Sequence, residues 1–308
     1  MKKNKFIFLT AVLLCTAAGM IGGLMDYLSP SVNADEDILT PPQQNVSVSA
    51  SAPAISAAGA ILVDAETGEM LFEKDADKKL YPASTTKILT ALVALEKLEE
   101  LGLDMSCELI VTNEAQGVEG SSMYLKSGEK ITMEELLYGL MLQSGNDSAV
   151  AIASCIGGGP AAEGVLNFVG MMNERALELG CRGSHFVNPH GLFDENHYVT
   201  ARDMALIAAE ALKREDFRQI VGAEEWAGGT EGRRFLNKNK TIAQYEGATG
   251  VKIGFTKKSG RTLVASAKRG DVELIAVVLN DGNWFADVYD LLDYGFEIMS
   301  ERGERDGI

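Results

Sequence analysis

The chain is short of the residues that build metal sites and disulfide frameworks. Its 308 residues hold 4 cysteines and 3 histidines. No C-x-x-C pair and no H-E-x-x-H run occurs, so no zinc site or disulfide framework is expected, and no metal or cofactor. Cys107, Cys155 and Cys181 read as buried or idle thiols. Basic residues are scarce as well: 28 lysines and arginines stand against 44 acids, for a net charge of −16. That balance excludes nucleic acid or an anionic lipid surface as a partner held by bulk charge.

What is present supports a folded, exported protein. With 46% hydrophobic and 23% charged residues, the chain can bury a sizeable core in one or two domains. Lys2, Lys3 and Lys5 precede an almost uncharged apolar run from Phe6 to Met25, and Val32-Asn33-Ala34 offers small residues to a signal peptidase. This is the layout of a secretory signal over 1–34, cleaved after Ala34. A retained anchor is the alternative, since about 20 apolar residues suffice to span a bilayer. An extracytoplasmic location is expected either way, with membrane attachment only through an uncleaved amino end. Cleavage would remove three lysines and one aspartate and leave the mature chain still more acidic. Residues 35–56, rich in Ser, Ala, Pro and Gln without periodicity, read as a flexible linker. A folded domain is expected over 57–300, with a helical subdomain over about 100–235 and a short tail over 301–308.

Ala60-Ile61-Leu62-Val63 and Met70-Leu71-Phe72 flank Ala65-Glu66-Thr67-Gly68 and predict a hairpin. Ile88, Leu89, Leu92, Leu95 and Leu98 recur at helical spacing, so a helix starts close to Ser84. Thr132 and Glu135 form a capping-box pattern ahead of a helix over Met133–Leu142, and Thr200 caps another over Ala201–Leu212. Asp147–Cys155 and Ala161–Leu179 read as helices separated by Gly157-Gly158-Gly159-Pro160. Thr262–Ala267 and Val272–Leu279 flank Arg269-Gly270-Asp271 as a second hairpin, and an amphipathic helix follows from Trp284 to Met299. Strands at both ends with helices between them predict an α+β fold, its sheet built from opposite ends of the chain.

Three short segments carry chemistry. In Ser84-Thr85-Thr86-Lys87 the i, i+3 spacing places an amine beside a hydroxyl on one helix face, where it can take the proton that makes serine a nucleophile. A helix start also directs free N–H groups toward developing negative charge. Taken alone, the segment fits a helix cap followed by a surface lysine better than a nucleophile and its base. Ser144-Gly145-Asn146 lies between two predicted helices, where a hydroxyl can relay a proton and an amide can hold a carbonyl. Lys252-Ile253-Gly254 precedes the last hairpin, where a strand can wall a cleft with a cation. The bland alternatives are a polar turn and a lysine blunting a strand edge.

Together these segments resemble the S-x-x-K, S-x-N and K-T-G set of penicillin-binding proteins and serine β-lactamases. Wider stretches are similar to the serine D-Ala-D-Ala carboxypeptidases, which are peptidase S11-like. These are Tyr81–Lys87, Leu142–Ala149, Phe186–Leu192, Thr200–Ala205 and Leu263–Ala267. The resemblance runs from about Ala57 to Met299. It implies a β-lactamase/transpeptidase-like antiparallel sheet with flanking helices and a helical subdomain. It also implies removal of the terminal D-alanine from peptidoglycan stem pentapeptides through an acyl-enzyme, with β-lactams as covalent inhibitors. By the same resemblance Ser84 attacks, Lys87 is its base, Ser144 shuttles the proton and Asn146 positions the peptide. Lys252 supplies positive potential, and the Ser84 and Phe255 N–H groups form the oxyanion hole. Gly254, Thr256 and Lys238 complete the substrate-binding set, Lys238 as a basic residue facing the terminal carboxylate.

The chain departs from the pattern at Ile253, which stands where the family has the threonine of K-T-G. A weakly active or non-catalytic penicillin- or wall-binding homologue is therefore one alternative. A secreted β-lactamase is another, opposed by the lack of an E-x-x-L-N segment to supply a deacylating glutamate.

Overall fold

The computed structural model describes residues 51–229 and 231–306. The expected signal segment 1–34 and linker residues 35–50 lie outside the described residues. In chain order the strands and helices begin with β1 (Gly59–Asp64), β2 (Met70–Lys74), α1 (Lys87–Glu100), β3 (Glu108–Ile110), β4 (Lys130–Thr132) and α2 (Met133–Tyr138). Then follow α3 (Asn146–Ile156), α4 (Ala161–Glu178), α5 (Ala201–Leu212), α6 (Glu215–Gly222), β5 (Glu225–Gly228), β6 (Arg233–Leu236) and α7 (Thr241–Gln244). The chain closes with β7 (Ala248–Thr256), β8 (Gly260–Arg269), β9 (Val272–Asp281) and α8 (Trp284–Asp306).

The main sheet is antiparallel, in the order β2-β1-β9-β8-β7. Its first two strands come from the start of the described chain and its last three from the end, as the pattern of hairpins predicts. Asp64 closes the first hairpin by accepting from Glu66 N, Thr67 N and Thr67 Oγ1, a side chain standing in for backbone in a turn. β1 and β9 read as nearly continuous apolar runs because both sheet faces are covered. Ile61, Val63, Ile275 and Val277 face the helical side and join a cluster with α1, α3 and α5. Ala60, Leu62, Leu274, Ala276 and Val278 face the other side, under Val288, Leu291 and Leu292 of α8. Helix α1 is buried from Lys87 to Leu95, so it has no solvent stripe over its first turns.

The caps behave as their residues suggest. Thr132 Oγ1 accepts from Glu135 N and Thr200 Oγ1 from Asp203 N. Glu135 does not reach back to complete a box, because its carboxylate pairs with Arg233 at 2.7 Å. Four expectations need correction. The helix expected over Met133–Leu142 is α-helical only to Tyr138 and continues as a π turn over Gly139–Gln143. The linker expected through residue 56 is already docked at its end: Ile55 is buried, and Ser56 bonds Asp281 and Asp287. Residues 301–306, expected as tail, continue α8. The stretch expected as purely helical also holds two small hairpins, β3–β4 and β5–β6.

Candidate active site

Ser84 lies in a 3-10 turn, Ala83–Thr86, that leads directly into α1 at Lys87. The turn brings Lys87 Nζ to 3.0 Å from Ser84 Oγ. Ala83, just ahead of Ser84, has φ +48°, a conformation that costs an L-residue energy. Gly191 backs it closely enough that a Cβ there would lie 1.8 Å from Ala83 O. Ser84 is partly exposed whereas Lys87 is fully buried, so the hydroxyl faces the cleft and the amine sits behind it.

The surroundings of Lys87 assign its hydrogens. Asn146 Oδ1 lies at 2.7 Å and the His190 carbonyl at 2.6 Å, and both can only accept. The Asn146 amide cannot be turned around, because its Nδ2 donates to Glu119 O at 2.7 Å. A neutral amine has two N–H bonds, which these acceptors take. Its lone pair is then left for the Ser84 hydroxyl, the one neighbour able to donate. Burial holds the Lys87 ammonium well below the ordinary lysine value; Lys252 adds to the effect, Asp147 opposes it, and Lys238 contributes least. The neutral base is thus favoured by the same burial that fixes its orientation.

Ser144 is 5% exposed and ends the π turn in the left-handed region at φ +64°. Such local unwinding aims a side chain that a regular helix would direct elsewhere. Lys252 projects from the edge strand β7, is 1% exposed, and donates to Ile253 O at 3.2 Å. Burial, with Lys238 adding to it, lowers its pKa to about 7. Lys238 is exposed, yet its Nζ donates to Gln143 O at 2.7 Å, beside the turn that carries Ser144. Among the described residues no carboxylate forms an ion pair with Lys238 or Lys252, so the site of an acidic protein holds two lysines without an ion-pair partner.

Gly254 allows β7 to run against the nucleophile's turn. A Cβ there would meet Thr262 Oγ1 at 2.4 Å and Ser84 N at 2.8 Å. Thr262 Oγ1 in turn donates to Pro82 O at 2.9 Å, tying β8 to the same turn. Phe255 presents a ring that is 60% exposed. Thr256 stands further off in role: its hydroxyl is 2.8 Å from Ser259 Oγ and closes the β7–β8 turn. Ile253 pairs with Leu263 on the face opposite Lys252 and packs against the α8-side cluster.

Sequence reasoning did not single out Asp147, the His190 carbonyl, Glu119 or Thr262. Asp147 had a signal, since it directly follows Ser144-Gly145-Asn146. The carbonyls had none, because a backbone acceptor leaves no trace in residue type. The histidines serve the scaffold. His197 Nδ1 accepts from Val187 N at 3.2 Å, which leaves Nε2 to donate to Thr86 Oγ1 at 2.9 Å. Burial lowers His190 to about 3 and His197 to about 4, so both are neutral at physiological pH.

A family model for D-alanyl-D-alanine carboxypeptidases (Peptidase S11) matches residues 46–283. The chain belongs to this carboxypeptidase family. It is 37% identical over 246 residues to the D-alanyl-D-alanine carboxypeptidase DacF of Bacillus subtilis, covering 78% of this chain and 62% of that one. It is 36% identical over 258 residues to DacA of Escherichia coli, covering 80% and 62%. The family member described here therefore spans less than two thirds of the length of these two relatives. The crystal structure of the Streptomyces K15 DD-transpeptidase superposes with a TM-score of 0.75 at 32% identity, over 80% of this chain and 99% of that one. Penicillin-binding protein 6B of E. coli gives 0.75 at 28% identity.

Proposed function

We propose that this family member is a serine D-Ala-D-Ala carboxypeptidase. It removes the terminal D-alanine of peptidoglycan stem pentapeptides, outside the cytoplasm, through an acyl-enzyme on Ser84, and β-lactams acylate the same hydroxyl. The observation that carries the reading is the buried Lys87 Nζ, 3.0 Å from Ser84 Oγ, with acceptors alone, Asn146 Oδ1 and His190 O, at its other two contacts. In this reaction Lys87 takes the Ser84 proton as Oγ attacks the carbonyl between the two D-alanines. The backbone N–H groups of Ser84 and Phe255 hold the oxyanion, each such donor contributing roughly 3 kcal/mol. Ser144 passes a proton to the departing amine, and Lys252 with Lys238 attracts the terminal carboxylate. Water then hydrolyses the ester.

Two measurements test this. Labelled penicillin, followed by mass spectrometry of digested protein, should place the adduct on Ser84. Ser84→Ala should fold with an unchanged melting temperature and take no label. Free D-alanine released from an acyl-D-Ala-D-Ala peptide should accompany the labelling. An adduct on any other residue, or no D-alanine, would overturn the assignment.

A further inference from the structure

Asp147 is a buried acid at the start of α3 with no basic partner of its own. Its carboxylate gathers a loop instead. It accepts from Ser122 Oγ at 2.6 Å, Met123 N at 2.9 Å and Leu125 N at 3.1 Å, and from Ser148 N at 2.9 Å. The loop has no helix or strand to hold it and includes Tyr124 at φ +62°. Carboxylate bonds of this kind restrain it, together with the burial of Met123 and Leu125 in the core. What the loop returns is directed at Asn146: Glu119 O accepts from Asn146 Nδ2 and Ser121 O from Asn146 N, each at 2.7 Å.

We propose that Asp147 is a positioning residue for acylation, holding the loop over 119–125 so that the Glu119 carbonyl locks the Asn146 amide with its oxygen toward Lys87. The inference rests on the acyl-enzyme reading and deepens it. The physical reason lies in the symmetry of an amide. Without the Glu119 carbonyl, Asn146 is free to turn its NH2 toward Lys87. A neutral Lys87 facing that donor accepts with its lone pair, and the base is diverted from Ser84. Gly120 belongs to the same device. Its φ is +89°, and a Cβ there would lie 2.8 Å from Asn146 Nδ2.

The test separates positioning from mere support, because the two move the pH profile in opposite directions. Lys87 is faced by Lys252 from β7, Lys238 from the segment before α7, neutral His190 and His197 from the loop after α4, and Asp147 from α3. Asp147 is the acid among them, so Asp147→Asn leaves the Lys87 ammonium less favoured. For Asp147→Asn the plateau rate of acylation by labelled penicillin should fall at least about tenfold, the scale of a general-base contribution. The acid limb should move to lower pH. Loosened packing would instead admit water, return Lys87 toward ordinary lysine behaviour and move that limb to higher pH. Either that upward shift, or a plateau within about twofold of wild type, would refute the proposal. Gly120→Ala, which changes no charge, should lower the plateau and leave the limb in place. If Asp147→Asn gives no cooperative melt, Gly120→Ala decides alone: acylation at the wild-type rate refutes the link. Failure of the wild-type protein to label at Ser84 would instead refute the carboxypeptidase reading.

Discussion

Lys252 is an ammonium group in a place that disfavours it. Buried and near a second cation, it has a pKa lowered to about 7 from the ordinary lysine value. The two lysines of the site then have opposite requirements. In the proposed reaction Lys87 must be neutral to act, so activity should rise with pH through its lowered pKa. Lys252 must in that reaction be charged to attract a carboxylate, so binding should weaken as pH climbs past about 7. The expected kcat/KM profile for a D-Ala-D-Ala peptide is a bell. Its alkaline limb should lie in KM rather than kcat, because a bound carboxylate favours the ammonium. Lys252→Arg, which stays charged, should flatten that limb. An alkaline limb that persists in kcat/KM for Lys252→Arg would exclude this origin. Lys87 is legible in the sequence by its spacing from Ser84, and Lys252 by the resemblance of Lys252-Ile253-Gly254 to K-T-G. Their protonation is not, because it depends on burial that only the assembled cleft provides.

Strand β7 carries its residues on alternate faces, and that alternation decides what Ile253 does. Lys252 faces the helices, and Ile253 faces Leu263 and the α8-side cluster. Ile253→Thr places its hydroxyl on the α8 side of β7, away from Lys252, so D-alanine release and acylation by penicillin should stay within about twofold of wild type. The change removes half-buried apolar contact, so the melting temperature should fall, by the equivalent of about 1 kcal/mol. A several-fold rise in kcat/KM would show instead that the hydroxyl reaches the substrate carboxylate. The elements legible in the sequence are those whose pattern is local. Examples are the turn over Ala65-Glu66-Thr67-Gly68, the Thr132 and Thr200 caps, and the apolar runs of β8 and β9 on either side of Arg269-Gly270-Asp271. The π turn before Ser144 was not legible, since Gly-Leu-Met-Leu-Gln reads as ordinary helix. Hairpins β3–β4 and β5–β6 escaped for another reason. Strands of 3 and 4 residues are too short to show a period.

At the scale of the molecule, the segment entering β1 is fastened by an acid pair on the far end of the fold. Ser56 N and Oγ bond Asp287, and Ser56 Oγ also bonds Asp281. Asp281 Oδ2 is buried without a donor, and burial, together with the neighbouring Asp287 carboxylate, raises the Asp281 pKa. A carboxyl with a raised folded-state pKa stabilises the fold in acid and loses that contribution as pH rises through the raised value. Asp281→Asn mimics the protonated form. It should raise the melting temperature at pH 7–8 and change it little near pH 4, which thermal melts across that range would check. Equal shifts at both ends would mean the pair carries no proton linkage. The strand that Ser56 introduces has a further consequence for how the protein comes to exist. β1 lies between β2 and β9, so one of its two neighbours is more than two hundred residues later in the chain. A growing polypeptide reaches the serine and its lysine early, while β7, β8 and β9 are still unmade. For most of its synthesis the chain therefore holds the reactive pair with no wall beside it. Only when β9 threads between β1 and β8 does the fold close and the Ser84–Lys87 pair gain its cleft, a late and long-range step that sets a slow pace for maturation.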